Sequence, residues 1–383
     1  MTVTHASGFA AAGIHAGIKK SGNKDLALVR NLGPLHNAAA VFTSNRAQAN
    51  PIIWSKEVIK DGQVAAIVLN SGGANCFTGA QGFQATHSTA EAVASALDVS
   101  SGDVLVCSTG LIGEQLPLDK ILTGVETLGT ALSTDGGQDA ADAIMTTDSV
   151  SKVVARDGNG YRIGGMAKGA GMLAPGLATM LVVITTDAEL SSADLDRALR
   201  SATRVSFDRL DSDGCMSTND QVTLMASGAS GVSPDLDEFT ALLTDACVDL
   251  AQQLQRDAEG ASHDITIAVT KAANEEDAVE VGRAVARNNL FKAAIFGNDP
   301  NWGRVLAAIG TTSADFDPYN VDVYMNGVRV CTAGGPDRPR DDVDLTPRAT
   351  QLDIVLNAGI AEATIYTNDL THDYVHENSA YAS

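Results

Sequence analysis

Short apolar runs recur along the chain. "VAAIVLN" (64–70), "DVLVCS" (103–108), "MLVVIT" (180–185), "QVTLMAS" (221–227), "DITIAVT" (264–270) and "QLDIVL" (351–356) are brief and rich in β-branched residues. Length and composition together predict strands. Helical spacing alternates with them. "SSADLDRALRSATR" (191–204) puts Leu195, Ala198, Leu199 and Ala202 on one face. "STAEAVASALDV" (88–99) opens with Ser88 and Glu91 at capping-box spacing, which predicts a helix start there. The longest helical pattern, 235–260, is predicted to stop at Gly260, and "EEDAVEVGRAVARNNL" (275–290) predicts one more helix. Strands alternating with helices predict a mixed fold, α/β or α+β.

Glycine-rich stretches break this pattern in the first half of the chain. "NSGGANCFTG" (70–79) and "STGLIG" (108–113) each follow a predicted strand, and "IGGMAKGAGMLAPG" (163–176) reads as a third loop. Glycine permits positive φ and close backbone approach, so three such loops bearing Ser, Thr and Asn suit substrate or oxyanion contacts. None is a nucleotide motif. Lys168 is followed by Gly169 rather than Ser or Thr, and a strand, not a helix, is predicted after the third stretch.

Composition narrows the function classes. With 47 acidic against 26 basic side chains the net charge is −21, which argues against nucleic-acid or anionic-membrane surfaces. The five cysteines, Cys76, Cys107, Cys215, Cys247 and Cys331, are odd in number and widely spaced, so neither a disulfide framework nor a zinc site is expected. No run of 18 apolar residues occurs, and the N-terminus lacks a secretory pattern. The expectation is a soluble, cytoplasmic protein.

Nucleophile chemistry gives few leads. There is no G-x-S-x-G elbow and no H-E-x-x-H, and the seven histidines are scattered. His372 and His376 lie in a polar tail and read as solvated. A nucleophile that needs no histidine is an N-terminal Ser, Thr or Cys, because a free α-amine can act as base near neutrality. An internal threonine acquires that amine only if the chain cuts itself in front of it. In "LAPGLATMLVVITTDA" (173–188), Pro175 stiffens the loop, Gly176 permits unusual dihedrals, and Ala178 leaves the carbonyl before Thr179 accessible. Taken alone, Thr179 reads as an ordinary strand-start threonine.

The wider stretch "GGMAKGAGMLAPGLATMLVVITTDA" resembles the ornithine acetyltransferase family of arginine biosynthesis, also called glutamate N-acetyltransferase. That family carries K-G-x-G-M-x-x-P-x-x-A-T-M-L, in which the Thr is both autocleavage site and nucleophile. "NSGGAN" (70–75), "CSTGLIGEQLP" (107–117), "IMTTD" (144–148), "FDRLDSDGCMSTND" (207–220), "RDAEGAS" (256–262), "FGNDPNWGRVLAAIG" (296–310) and "DYVHENSAYAS" (373–383) follow in the family's order. Gly73, Gly176, Leu177 and Gln221 depart from the commoner family residues; Gly176 bears on the strain that drives cleavage.

The resemblance implies a cut between Ala178 and Thr179, giving an α chain (1–178) and a β chain (179–383). It implies Thr179 as nucleophile, Thr109 and Gly110 as oxyanion-hole pair, and Thr146, Lys168, Thr179, Glu259, Asn378 and Ser383 as substrate contacts. Chemically, Lys168 can pair with a substrate carboxylate and Glu259 with the ornithine ammonium. The implied reaction moves an acetyl group from N2-acetylornithine to glutamate through an acetyl-Thr179 ester, without metal or organic cofactor, and acetyl-CoA is a second candidate donor. The implied assembly is an (αβ)2 heterotetramer, and the implied fold a layered sandwich of β-sheets flanked by helices with the nucleophile at a strand start. A related autocleaving amidohydrolase or aminopeptidase, resolving the ester with water, is the rival enzyme; a binding protein with a structural Thr179 is the rival of another class.

Overall fold

The computed structural model describes residues 2–174 and 180–380. Nine strands build the first two sheets: β1 (Phe9–Ile14), β2 (Leu26–Asn31), β3 (Asn37–Phe42), β4 (Ala66–Ser71), β5 (Val104–Thr109), β6 (Lys152–Asp157), β7 (Arg162–Lys168), β8 (Leu181–Thr186) and β9 (Gln221–Ala226). One sheet runs β1-β2-β4-β5 and the other β3-β9-β8-β7-β6. Each holds one parallel pair, β4 with β5 and β8 with β9, among antiparallel neighbours.

Strand periodicity assembles the layers. In β8, Leu181 and Val183 face the first sheet and pack with Val29, Ile67, Leu69 and Leu105. Val182 and Ile184, pointing the other way, pack against helices α5 (Ser192–Arg204) and α6 (Leu236–Arg256) through residues such as Leu195, Leu199, Leu243 and Leu250. A period of two thus buries both faces of one strand, which is why the run reads as continuously apolar. Each such side chain contributes about 1.5–3 kcal/mol when fully buried. The outer face of the first sheet is covered by α2 (Gly79–Leu97) and α3 (Leu118–Ala131). The result is the expected sandwich: helices, sheet, sheet, helices. Helices α1 (Asn50–Val58) and α4 (Gly137–Ala143) fill its edges.

A third sheet, β13-β12-β11-β14-β10-β15, stands beside the sandwich. Its strands are β10 (Asp264–Ala272), β11 (Asp322–Met325), β12 (Val328–Thr332), β13 (Gly335–Pro336), β14 (Ala349–Val355) and β15 (Ala361–Asn368). It packs on α7 (Glu275–Ala286), α8 (Asn289–Phe296) and α9 (Trp302–Ile309), and α10 (His372–Ala380) ends the described chain. No described helix is long and apolar enough to cross a membrane.

Four expectations are corrected. Helix α2 begins at Gly79, so Ser88 and Glu91 lie within it rather than capping it. Its first turn is instead set from outside: the Thr78 hydroxyl donates to Asn75 Oδ1 at 2.7 Å, and Asn75 Nδ2 donates to the Gly82 carbonyl and the Thr86 hydroxyl, both at 2.9 Å. Helix α6 ends at Arg256, before Gly260. The pattern at 275–290 is two helices, because Asn288 caps a new one through the Phe291 amide at 3.0 Å. Finally, 163–168 is part of β7 rather than loop, which places Lys168 at a strand end. Gly164 is needed there because a Cβ would lie 2.3 Å from the Thr2 carbonyl of the N-terminal segment.

Candidate active site

Three of the predicted residues, Thr109, Thr146 and Lys168, meet at the ends of β5 and β7. Thr109 is the last residue of β5 and Lys168 the last of β7, and both are buried. Lys168 Nζ lies 3.3 Å from Thr109 Oγ1 and 2.8 Å from Thr146 Oγ1. One ammonium and two hydroxyls, 59 and 22 positions away in sequence, therefore share one buried spot.

Asp148 holds this cluster together, and the sequence reading missed it. It follows α4 in no regular element, so no periodicity marks it. Its Oδ1 accepts from the Gly169 amide and from Lys152 Nζ, each at 2.6 Å; its Oδ2 accepts from the Thr146 amide at 2.9 Å and stands 3.9 Å from Lys168 Nζ. Burial alone raises the Asp148 carboxyl, but Lys168 and Lys152 outweigh it and hold the group down at about 2. Lys168 is lowered as well, but by burial rather than by charge: burial pulls it below the ordinary lysine value, with Asp148, Asp220 and Glu259 opposing and Lys152 adding to the fall. Lys152, fully buried, also pairs with Asp257, which takes the Ser149 amide at 3.0 Å.

Gly110 follows Thr109 with φ +126°, outside the range other residues favour. The backbone is crowded there: a Cβ would sit 2.6 Å from the Gly73 nitrogen and 2.7 Å from the Gly72 carbonyl carbon. The Gly72 and Gly73 amides donate to the Thr109 carbonyl at 2.8 and 2.9 Å, whereas the Gly110 amide donates to none of the described residues. Gly110→Ala is expected to open this turn and, if Gly110 supplies the oxyanion donor that the resemblance implies, to lower the acetyl-transfer rate by about 10²–10³. Initial rates beside a melting curve check it; a variant within threefold of wild type would remove Gly110 from the site.

The segment entering the predicted cut is held at Gly169, Ala170, Met172 and Leu173. The Gly169 amide binds Asp148, the Ala170 carbonyl accepts from the Glu259 amide at 3.0 Å, and the Met172 amide donates to Asp213 at 2.7 Å. The Leu173 carbonyl accepts from the Ser212 amide at 2.5 Å. The Glu259 carboxylate lies over Gly171, where a Cβ would meet its oxygens at 2.6 and 2.7 Å. Beyond the junction, the Met180 amide donates to Asp220 Oδ1 at 3.1 Å. Pro175, Gly176, Leu177, Ala178 and Thr179 lie outside the described residues, as does Ser383.

Glu259 sits in the turn after α6, buried, on the wall of two cavities of ≈ 460 Å³ each. One includes Asp213, Lys292 and Tyr374; the other includes Asp257, His372 and Glu377. Helix α10 docks beside it: the Thr371 hydroxyl donates to the Gly260 carbonyl at 2.5 Å, and a Cβ on Gly260 would lie 2.2 Å from the Tyr374 nitrogen. Asn378 is on the exposed side of α10 and its amide bonds the Tyr374 carbonyl at 3.0 Å, so it is not drawn into the Lys168 cluster. His372 and His376 are exposed, as expected. A larger cavity of ≈ 810 Å³, lined by Arg204, Arg209, Arg283 and Glu275 among others, holds none of the predicted residues.

Known proteins resemble this chain along nearly its whole length. Residues 10–383 match the ArgJ family. The chain is 62% identical over 385 residues to the arginine biosynthesis bifunctional protein ArgJ of Streptomyces coelicolor, with 100% of both chains covered. It is 59% identical over 383 residues to the corresponding protein of Thermobifida fusca, again with 100% of both covered. A solved ornithine acetyltransferase from Mycobacterium tuberculosis, complexed with ornithine, is 50% identical at a TM-score of 0.45, the match spanning 47% of this chain and 96% of that one. With a family match across nearly its whole length and full-length relatives well above half identical, the chain belongs to the ArgJ family.

Proposed function

We propose that the protein transfers an acetyl group from N2-acetylornithine to glutamate through an ester on Thr179. The observation that carries this reading is the buried Lys168 ammonium within hydrogen-bond distance of the Thr109 and Thr146 hydroxyls. A buried cation beside two hydroxyls and a glycine turn suits an acyl amino acid: it takes the carboxylate and leaves the acyl group beside an oxyanion site.

The reaction starts with self-cleavage. The Thr179 hydroxyl attacks the Ala178 carbonyl, the peptide bond becomes an ester, and water releases an α chain of residues 1–178 and a β chain that begins with Thr179. The freed α-amine then takes the hydroxyl proton as the oxygen attacks the acetyl carbonyl. Thr109 Oγ1 and the Gly110 amide receive the developing oxyanion. The C–N bond breaks, ornithine leaves with the proton, and acetyl-Thr179 remains. The α-amine of glutamate attacks this ester, N-acetylglutamate leaves, and the hydroxyl is restored. Exchange between two similar amines is nearly thermoneutral, so the protein supplies orientation and charge stabilisation.

Lys168 and Thr146 hold the α-carboxylate and Glu259 holds the ornithine ammonium; Asn378 and Ser383 are the C-terminal substrate contacts that the family resemblance implies. Acetyl-CoA is a second donor for the same ester, the assembly is (αβ)2, and the compartment is the cytoplasm. Rapid mixing with N2-acetylornithine tests the reading: about one ornithine is released per site in a burst, and continued turnover requires glutamate. Ornithine release that continues at the same rate without glutamate would make the protein a hydrolase instead.

A further inference from the structure

The two loops that form the proposed oxyanion site do not hold their own shape. They meet through backbone bonds between residues 72–74 and 109–111, and both are gripped by a third element, the turn at 217–220 that leads into β9. Asn219 in that turn is buried. Its Nδ2 donates to the Ala74 carbonyl at 2.6 Å and to the Ser108 carbonyl at 2.8 Å. A primary amide suits the task because its NH2 carries two donors in one plane, enough for one carbonyl on each loop. The orientation of that amide is set from behind, where the Thr218 hydroxyl donates to Asn219 Oδ1 at 2.6 Å, and the turn itself is held by the Asn219 backbone amide, which donates to Ser217 Oγ at 3.1 Å. A second tie crosses the loops in the same place, from the Ser108 hydroxyl to Asn70 Oδ1 at 2.5 Å and from Asn70 Nδ2 to the Gly73 carbonyl at 3.1 Å.

The next residue grips the other side of the site. Asp220 Oδ1 takes the Met180 amide, one residue beyond the proposed nucleophile, and the Asp220 carbonyl takes the Thr43 amide at 3.0 Å. Successive side chains of one turn thus hold the oxyanion loops and the start of β8.

We infer that Asn219 is a positioning residue: its two amide hydrogens fix the distance between the Thr109–Gly110 oxyanion pair and strand β8, which follows Thr179 in sequence. It touches no substrate. It acts by keeping the Ser108 and Ala74 carbonyls, and hence the turn after Thr109, in one place relative to β8. The inference rests on the acetyl-transfer reading, and its effect belongs to the transition state, where the oxyanion forms, rather than to substrate binding. Misplacing donors by about 1 Å costs roughly 10² in rate.

The test uses the full chain with Asn219→Ala, Asn219→Asp and the milder Asn219→Ser. Asn219→Asp keeps the size but aims oxygen at two carbonyl oxygens, so bulk alone is separated from donation. Cleaved, active sites are counted by the acetyl burst, and each half-reaction is then timed per counted site. The expected result is a fall of about 10²-fold in both half-reactions for Asn219→Ala and Asn219→Asp, with KM for N2-acetylornithine and for glutamate within threefold of wild type. Per-site rates within threefold of wild type in Asn219→Ser and in whichever other variant folds would overturn the inference, even if the melting temperature falls. An absent burst in the wild-type enzyme would instead overturn the acetyl-transfer reading itself.

Discussion

Thr179→Ala is expected to leave the protein as one uncut chain and to abolish acetyl transfer. In the proposed mechanism one hydroxyl serves both events, so both are lost together. Removing a nucleophile from an acyl-transfer site costs on the order of 10⁶ in turnover, and here the base is lost as well, because no α-amine is freed. The flanks of the junction are anchored independently of Thr179. Leu173 is held through the Ser212 amide, Met172 through Asp213, and Met180 through both Asp220 and the Gln221 amide at 3.2 Å. The variant is therefore expected to fold. Thr179→Ser, which keeps a hydroxyl, is expected to cut and to turn over. A denaturing gel and intact mass read the first effect, and ornithine release reads the second. Two chains from Thr179→Ala, or a single chain from the wild-type protein, would sink the autocleavage step.

What could be read in the sequence followed from how far local physics determines each element. The strands were visible because β4, β5, β8 and β9 are buried on both faces, which leaves unbroken apolar runs. Helix α5 was visible because its buried stripe, Leu195, Ala198, Leu199 and Ala202, has helical spacing and Ser191 caps it through the Asp194 amide at 3.2 Å. The start of α2 was hidden. Its first turn contains Gly79 and Gly82, poor helix formers, and is organised by Asn75 and Asn50 from other segments. The stretch at 163–168 looked like a loop because glycine weakens strand signals, yet Gly164 is there to admit the N-terminal chain.

The site divides in the same way. Lys168, Thr109 and Thr146 were reached through a family resemblance, and the fold brings them together because β5 and β7 end at the same side of the sandwich. Asp148 and Asn219 were not singled out. Each works through bonds to the backbone of distant loops, and such partners leave no periodic trace. Asp148 and Lys152 are four residues apart, the spacing of a helical ion pair, but they lie outside any helix.

Lys168→Met is expected to raise KM for N2-acetylornithine by about two orders of magnitude. Losing a buried charged partner costs roughly 2–5 kcal/mol, and each 1.4 kcal/mol is tenfold. The fold should survive, because Asp148 keeps Lys152 and the Thr146 and Gly169 amides when Lys168 is gone. Methionine fills a similar volume but brings no donor for a carboxylate. The pH dependence gives a second measure. Burial lowers Lys168 below the usual 10.5, against the opposing pull of Asp148. As pH rises, Lys168 therefore sheds its proton earlier than a free lysine, and the substrate carboxylate loses its cation. The wild-type KM should climb on the alkaline side, and the climb should vanish in Lys168→Met, whose KM is already high at neutral pH. A variant KM within threefold of wild type, or an unchanged alkaline limb, would take the carboxylate away from Lys168 and leave that buried charge as a support for Asp148 alone.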